Sequence, residues 1–241
     1  MEIKRYHNND NIIQQEEISA HGLNIQLKEF NIAVDEEYND ENNLLLNLVK
    51  SILSVESKYV LYKDKNTGET KKHLERVFAY ELYRQWSNRI QIVYNNKLII
   101  NGEIGKEPRL FDRLRSTGQK YPDLVLHQSH ENCDYQGVVC EIKTSNLTPS
   151  SFKEDIEKLC CFVCGNDEHH RFNFGAFILI GERMNHILDI MDEIENHVFK
   201  ATAKERMNRI ICLAYNHGYL ETVRLDWLIN QNNRNILRTP K

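Results

Sequence analysis

The run Phe172-Asn-Phe-Gly-Ala-Phe-Ile-Leu-Ile180 constrains the fold of this chain more than any other stretch. It is almost continuously apolar, far short of the roughly 20 residues a membrane helix needs, and suited to a buried strand of an α/β protein. The segments before it carry their own periodicities. Residues 71–88 predict a helix whose apolar face is Leu74, Val77, Phe78 and Leu82. Residues 90–100 predict a strand or hairpin, with Asn95-Asn96 as a turn. Residues 121–128 and 136–143 predict two short strands joined as an antiparallel hairpin across the polar stretch 130–135. Residues 150–164 predict a helix, 182–200 a long amphipathic helix, and 207–229 a further strand or two. Helix, strand, strand, strand, helix, strand describes an α/β sandwich around a central mixed β-sheet flanked by helices.

The first 70 residues read differently. Residues 1–40 are polar and offer one weak strand, Leu23–Leu27. Leu44, Leu45, Leu48, Ile52 and Leu53 recur at helical spacing within 41–57, and 63–70 reads as a loop. We therefore expect residues 1–70 to form an N-terminal extension packing on a core domain, 71–241. No Pro/Gly/Ser-rich linker divides the chain, and hydrophobic residues at 41% with charged residues at 27% fit a globular protein. The formal charge of −4 does not advertise nucleic-acid binding, although a local basic surface or a metal can supply the field. The six cysteines are not laid out as a secreted disulfide framework, there is no signal-like or membrane-length apolar segment, and a cytoplasmic setting is the expectation.

The chemistry concentrates in the 121–143 hairpin. In Tyr121-Pro-Asp-Leu-Val-Leu-His127, alternation puts Asp123, Val125 and His127 on one face. In Gly137-Val-Val-Cys-Glu-Ile-Lys143 it puts Val139, Glu141 and Lys143 on one face and Val138, Cys140 and Ile142 on the other. Charged groups at the end of an apolar strand need partners or a metal. Two carboxylates brought together across a hairpin repel unless a cation lies between them, and oxygen ligands favour Mg²⁺ or Mn²⁺. Glu81 points into the apolar face of the 71–88 helix, where either the same metal or a salt bridge to Arg84 would account for it.

Pro122-Asp123, seventeen intervening residues and Glu141-Ile142-Lys143, set between two helices, resemble the PD-(D/E)XK nuclease superfamily, the restriction-endonuclease-like fold. The resemblance covers roughly residues 71–180. It implies a Mg²⁺- or Mn²⁺-dependent nuclease, with DNA favoured over RNA, endonuclease over exonuclease, and no membrane partner. It implies that Asp123, Glu141 and the backbone carbonyl of Ile142 bind the metal, that Glu81 adds a contact, and that Lys143 orients or helps deprotonate the attacking water. The Gln-x-x-x-Tyr motif of the exonuclease branch is absent from 150–164. The alternative is a partner-dependent or inactive nucleic-acid-binding module on the same fold.

Other signals compete less well. Cys160, Cys161 and Cys164 with His169 and His170 have the flavour of a zinc site, but the helical phase runs through them and buried thiols behave as small hydrophobes. Asp155 and Lys158 lie beside the stripe Phe152, Ile156, Leu159 and Val163 and read as a surface pair at i, i+3. Arg109, Arg113, Arg115 and Lys120 could grip a phosphate backbone or form a solvated loop. His127 lies about 13 Å along its strand from Asp123 and reads as a satisfied interior or rim histidine.

Overall fold

The apolar run is a strand, β8 (Phe174–Ile180), buried at all seven positions, in the interior of an eight-stranded sheet. A computed structural model describes residues 4–9, 12–17, 44–72, 75–94, 97–102, 122–128, 135–144, 146–164, 171–194, 204–216, 218–230 and 234. The sheet contains β1 (Lys4–Asn9), β2 (Ile12–Glu17), β5 (Leu98–Gly102), β6 (Leu124–Gln128), β7 (Gln136–Lys143), β8, β9 (Ile210–Asn216) and β10 (Tyr219–Arg224), in the order β2-β1-β10-β9-β8-β7-β6-β5. β8 runs parallel to both β7 and β9, and the remaining pairings are antiparallel, so the sheet is mixed. A separate small hairpin pairs β3 (Leu61–Lys63) with β4 (Thr70–Lys72).

Strand alternation sorts the sheet's side chains into two cores. One face carries Leu126, Val138, Cys140, Ile142, Ile178 and Leu213, and is covered by α1 (Leu44–Leu53) and α2 (Glu75–Tyr94). The other carries Val125, Val139, Phe177, Leu179 and Cys212, and is covered by α3 (Pro149–Cys164), α4 (Met184–Glu193) and α5 (Leu225–Leu228). The result is a three-layer α/β sandwich. Gly137 lets the first layer close: a Cβ there would lie 3.0 Å from the Leu126 carbonyl and 3.3 Å from a Leu44 methyl. Among the described residues no helix is long and apolar enough to cross a membrane.

Several elements depart from expectation. The stretch Ile90–Tyr94, expected to start a strand, is the last turn of α2. Its β-branched residues suggest a strand, but Leu82, Trp86, Ile90 and Tyr94 recur every fourth residue and all are buried. Packing of that stripe outweighs local strand propensity, and Ile92, 83% exposed, points away from it. The polar segments at 4–9 and 12–17, from which no strand was expected, form a hairpin on the rim of the sheet, where β1 pairs with β10. The loop at 63–70 is the turn of the β3–β4 hairpin, where Asp64 Oδ1 accepts from the Asn66 and Thr67 N–H groups. The strand expected at 23–27 lies outside the described residues.

Candidate active site

β6 and β7 deliver the first charged groups. The ladder sets Leu124 opposite Cys140, so Asp123, immediately before β6, arrives beside Glu141. Two hydrogen bonds hold it: its own N–H donates to the Cys140 carbonyl at 3.1 Å, and its Oδ2 accepts from the Ile142 N–H at 2.6 Å. Glu141 lies on the face that α3 covers, flanked by Val139 and Phe177, and is 1% exposed.

α3 brings the groups that answer it. The helix starts at a reciprocal cap, in which the Thr148 N–H donates to Ser151 Oγ at 3.0 Å and the Ser151 N–H donates to Thr148 Oγ1 at 3.2 Å. Pro149 at the first position needs no N–H partner. Phe152, Ile156, Leu159 and Val163 then anchor the helix to the sheet, and the neighbouring row, Asp155 and Lys158, falls against β7. Lys158 Nζ lies 2.6 Å from Glu141 Oε1 and 2.7 Å from Oε2. Lys143, two residues beyond Glu141 on the same face, lies 3.5 Å from Asp155 and 3.8 Å from Glu75 at the start of α2. The expected surface pair is therefore nothing of the kind: Asp155 is buried, Lys158 is half-buried, and each partners a charge on β7. The clue in the sequence was their position beside an apolar stripe that had to face the sheet.

The electrostatics follow from burial. Desolvation pushes the Glu141 carboxyl up to about 8, with Lys158 pulling it down and Asp123 and Asp155 adding to the rise. Burial likewise raises Asp123 above the usual carboxylate range, against the Ile142 N–H and the two lysines. Burial alone would lower Lys143, but Asp155, Glu75, Asp123 and Glu141 outweigh it and hold its ammonium above the usual value. Four carboxylates (Asp123, Glu141, Asp155 and Glu75) thus face two ammonium groups. With all six ionised, the cluster carries an excess of two negative charges.

Glu81 stands apart from this cluster. Its carboxylate takes a two-point contact from Arg84, at 2.9 and 2.6 Å, and a hydrogen bond from Gln85 at 2.8 Å. The structure thus gives Glu81 the salt bridge rather than the metal-site contact. The α2 carboxylate that reaches the cluster is Glu75, at the first position of the helix, where it meets the sheet rim. His127 is buried with its Nε2 2.8 Å from the Asn101 amide nitrogen, a satisfied interior group. Cys160 is buried in the α3 core whereas Cys161 is exposed, so the two do not share a site. The Cys164 side chain, His169, His170, Arg109, Arg113, Arg115 and Lys120 lie outside the described residues.

Beside the cluster a cleft of about 490 Å³ opens between the outer side of α2 and the ends of β5, β6 and β7. Asp123 and Glu75 stand at its wall, with Tyr80 and Tyr83 along the helix side. No family model, curated protein or solved structure matches this chain.

Proposed function

We propose that the chain is a metal-dependent nuclease of the PD-(D/E)XK kind, hydrolysing phosphodiester bonds in DNA, with Asp123, Glu141 and Lys143 at its centre. The observation that carries this reading is the placement of Asp123 and Glu141 side by side at one sheet end, Glu141 buried and Asp123 half-buried, both raised in pKa, with Lys143 on the same strand face as Glu141. The succession α2, β5, β6, β7, α3, β8, with β7 parallel to β8, supports the restriction-endonuclease-like arrangement of that motif.

The residues fit a divalent ion by chemistry and by charge. The donors are all hard oxygens, the set that suits Mg²⁺ or Mn²⁺, and the excess of two negative charges is one such ion's worth. Among the described residues no three acidic, imidazole or thiol groups already converge as a formed metal site, and Lys158 lies within 2.7 Å of the Glu141 carboxylate that the ion would engage. Asp123 and Glu141 would hold the ion, which supplies Lewis acidity towards the phosphate and an activated water. Asp123 is pre-oriented by the Ile142 N–H. Lys143 sets a positive charge beside the carboxylates, where it can orient water and balance charge growing on the phosphate.

The engaged Glu141–Lys158 pair also favours a second reading, a nucleic-acid-binding module that is inactive or needs a partner. The two readings separate in one assay: plasmid and oligonucleotide cleavage with Mg²⁺, Mn²⁺ or chelator. Divalent-dependent cleavage abolished by Asp123→Ala establishes the enzyme. Binding without cleavage on every DNA and RNA tested would leave only the module.

A further inference from the structure

The cleft beside Asp123 has a wall that the proposed chemistry does not use. Arg76, Tyr80 and Tyr83 recur at i, i+4 and i+7 along α2, a single stripe on its outer side, and all three line the cleft. Tyr80 is 58% and Tyr83 41% exposed, two of the four large apolar side chains left open among the described residues. Single exposed aromatics are ordinary surface features. Two at helical spacing, both lining the cleft that also holds Asp123 and one turn from the exposed Arg76, set this wall apart from scattered surface aromatics. The sheet side of the cleft adds Asn101, Gly102, Leu124 and Ile142, mostly small or apolar groups.

We propose that this cleft takes an unpaired nucleic-acid strand, with bases stacked on Tyr80 and Tyr83 and a phosphate of the same strand carried towards Asp123. A stacking platform works only on bases whose faces are free. In a duplex those faces are already covered, and the outside presents phosphates. A chain with a net charge of −4 and a carboxylate-rich site gains little from phosphate attraction overall. Stacking supplies affinity independent of charge, and Arg76 supplies a local cation for the backbone or a base face. The inference rests on the nuclease reading only in calling the strand a substrate; the stacking itself does not require cleavage.

The test is fluorescence anisotropy of labelled twelve-nucleotide DNA on the full chain, with Ca²⁺ in place of Mg²⁺. The single strand should bind more tightly than the duplex of the same sequence. Tyr80→Ala and Tyr83→Ala should each weaken single-strand binding about five- to hundredfold, the range for losing one stacked base, while Tyr80→Phe and Tyr83→Phe retain it. An abasic strand should bind wild type no better than the intact strand binds the double alanine variant. Both rings are partly solvent-exposed, so melting curves of the variants should match wild type and exclude misfolding as the cause. Duplex preference, or single-strand binding indifferent to both alanine changes, overturns the inference. Cleavage in Mg²⁺ is scored separately: tyrosine-dependent strand binding without cleavage upholds the platform and removes the nuclease, whereas cleavage of duplex alone, indifferent to both tyrosines, removes the platform and keeps the nuclease.

Discussion

Glu141 and Glu81 are both glutamates buried on an apolar surface, one on β7 and one on α2, yet their environments push them in opposite directions. Burial raises the Glu141 carboxyl to about 8, because its one ammonium partner is set against neighbouring Asp123 and Asp155. The Arg84 guanidinium, 56% exposed and forked onto Glu81, holds that carboxyl below the usual range, with Gln85 assisting. An acid on an apolar stripe is therefore not by itself the mark of a reaction centre. What separates the two sites is charge left over after the nearest partners are counted: the β7 cluster has more carboxylates than ammonium groups, whereas Glu81 is matched by Arg84.

Removing the partners should expose this contrast most strongly. Lys158→Met strips the buried Glu141 of the ammonium that lies 2.6 Å from it, and we expect a loss of about 3–5 kcal/mol in chelator at pH 9. The loss should be smaller at pH 6, where the carboxyl can take up a proton instead. Denaturant titrations at the two pH values measure it, and an equal cost at both would mean that Glu141 is not the group being stripped.

Activity should divide the two glutamates next. Asp123→Ala, Glu141→Ala and Lys143→Ala should each lower divalent-dependent cleavage by roughly 10²–10³-fold, the usual cost of one strong electrostatic contact at a reacting phosphate. Glu81→Ala should leave the rate within a few-fold. A Glu81 variant as inactive as Glu141→Ala would return Glu81 to the catalytic centre.

The pH dependence of stability should then differ in sign. A raised folded pKa makes the folded state the better proton acceptor. Glu141 thus contributes stability that is full below its usual 4.5 and is lost as pH rises through about 8. Glu81, lowered, contributes stability present above the usual carboxylate range and lost as pH falls through its own pKa. In chelator, wild type should lose stability relative to Glu141→Gln between pH 5 and 8, by on the order of 1 kcal/mol per pH unit. It should gain relative to Glu81→Gln as pH rises from below the usual carboxylate range up to it. Parallel curves for wild type and Glu141→Gln would contradict the uncompensated charge.

The smallest effect belongs to the exposed partner. Arg84→Met should cost about 1 kcal/mol or less by thermal denaturation, since the guanidinium is largely in water and Gln85 remains.

Much of this was legible along the chain because strand alternation is strict. The period of two placed Val139, Glu141 and Lys143 on one face and Val138, Cys140 and Ile142 on the other, and the two cores divide on that line. The helices α1 and α3 were legible from apolar spacing. What escaped were facts of tertiary contact. Nothing local says that Lys158, seventeen residues after Glu141, lands on its carboxylate, or that Glu75 rather than Glu81 reaches the sheet rim. The end of α2 was missed because Ile90 to Tyr94 have the composition of a strand and only the continuing stripe from Leu82 and Trp86 says otherwise. The rim hairpin β1–β2 was missed because its polar sequence carries no apolar alternation, and its position is set by pairing to a strand more than two hundred residues away.

α1 has a practical meaning for anyone who would shorten the chain to residues 71–241. Leu44, Leu45, Leu48, Ile52 and Leu53 are a wall of the interior that also holds Phe78, Leu82 and Tyr215, and the Tyr215 hydroxyl donates to the Val55 carbonyl at 2.8 Å. Five such side chains contribute on the order of 10 kcal/mol of apolar burial, comparable to the whole stability of an ordinary domain. A truncated product would be a half-roofed sheet, prone to bind dyes, chaperones and its own copies. Its silence in any assay would say nothing about Asp123 or Glu141.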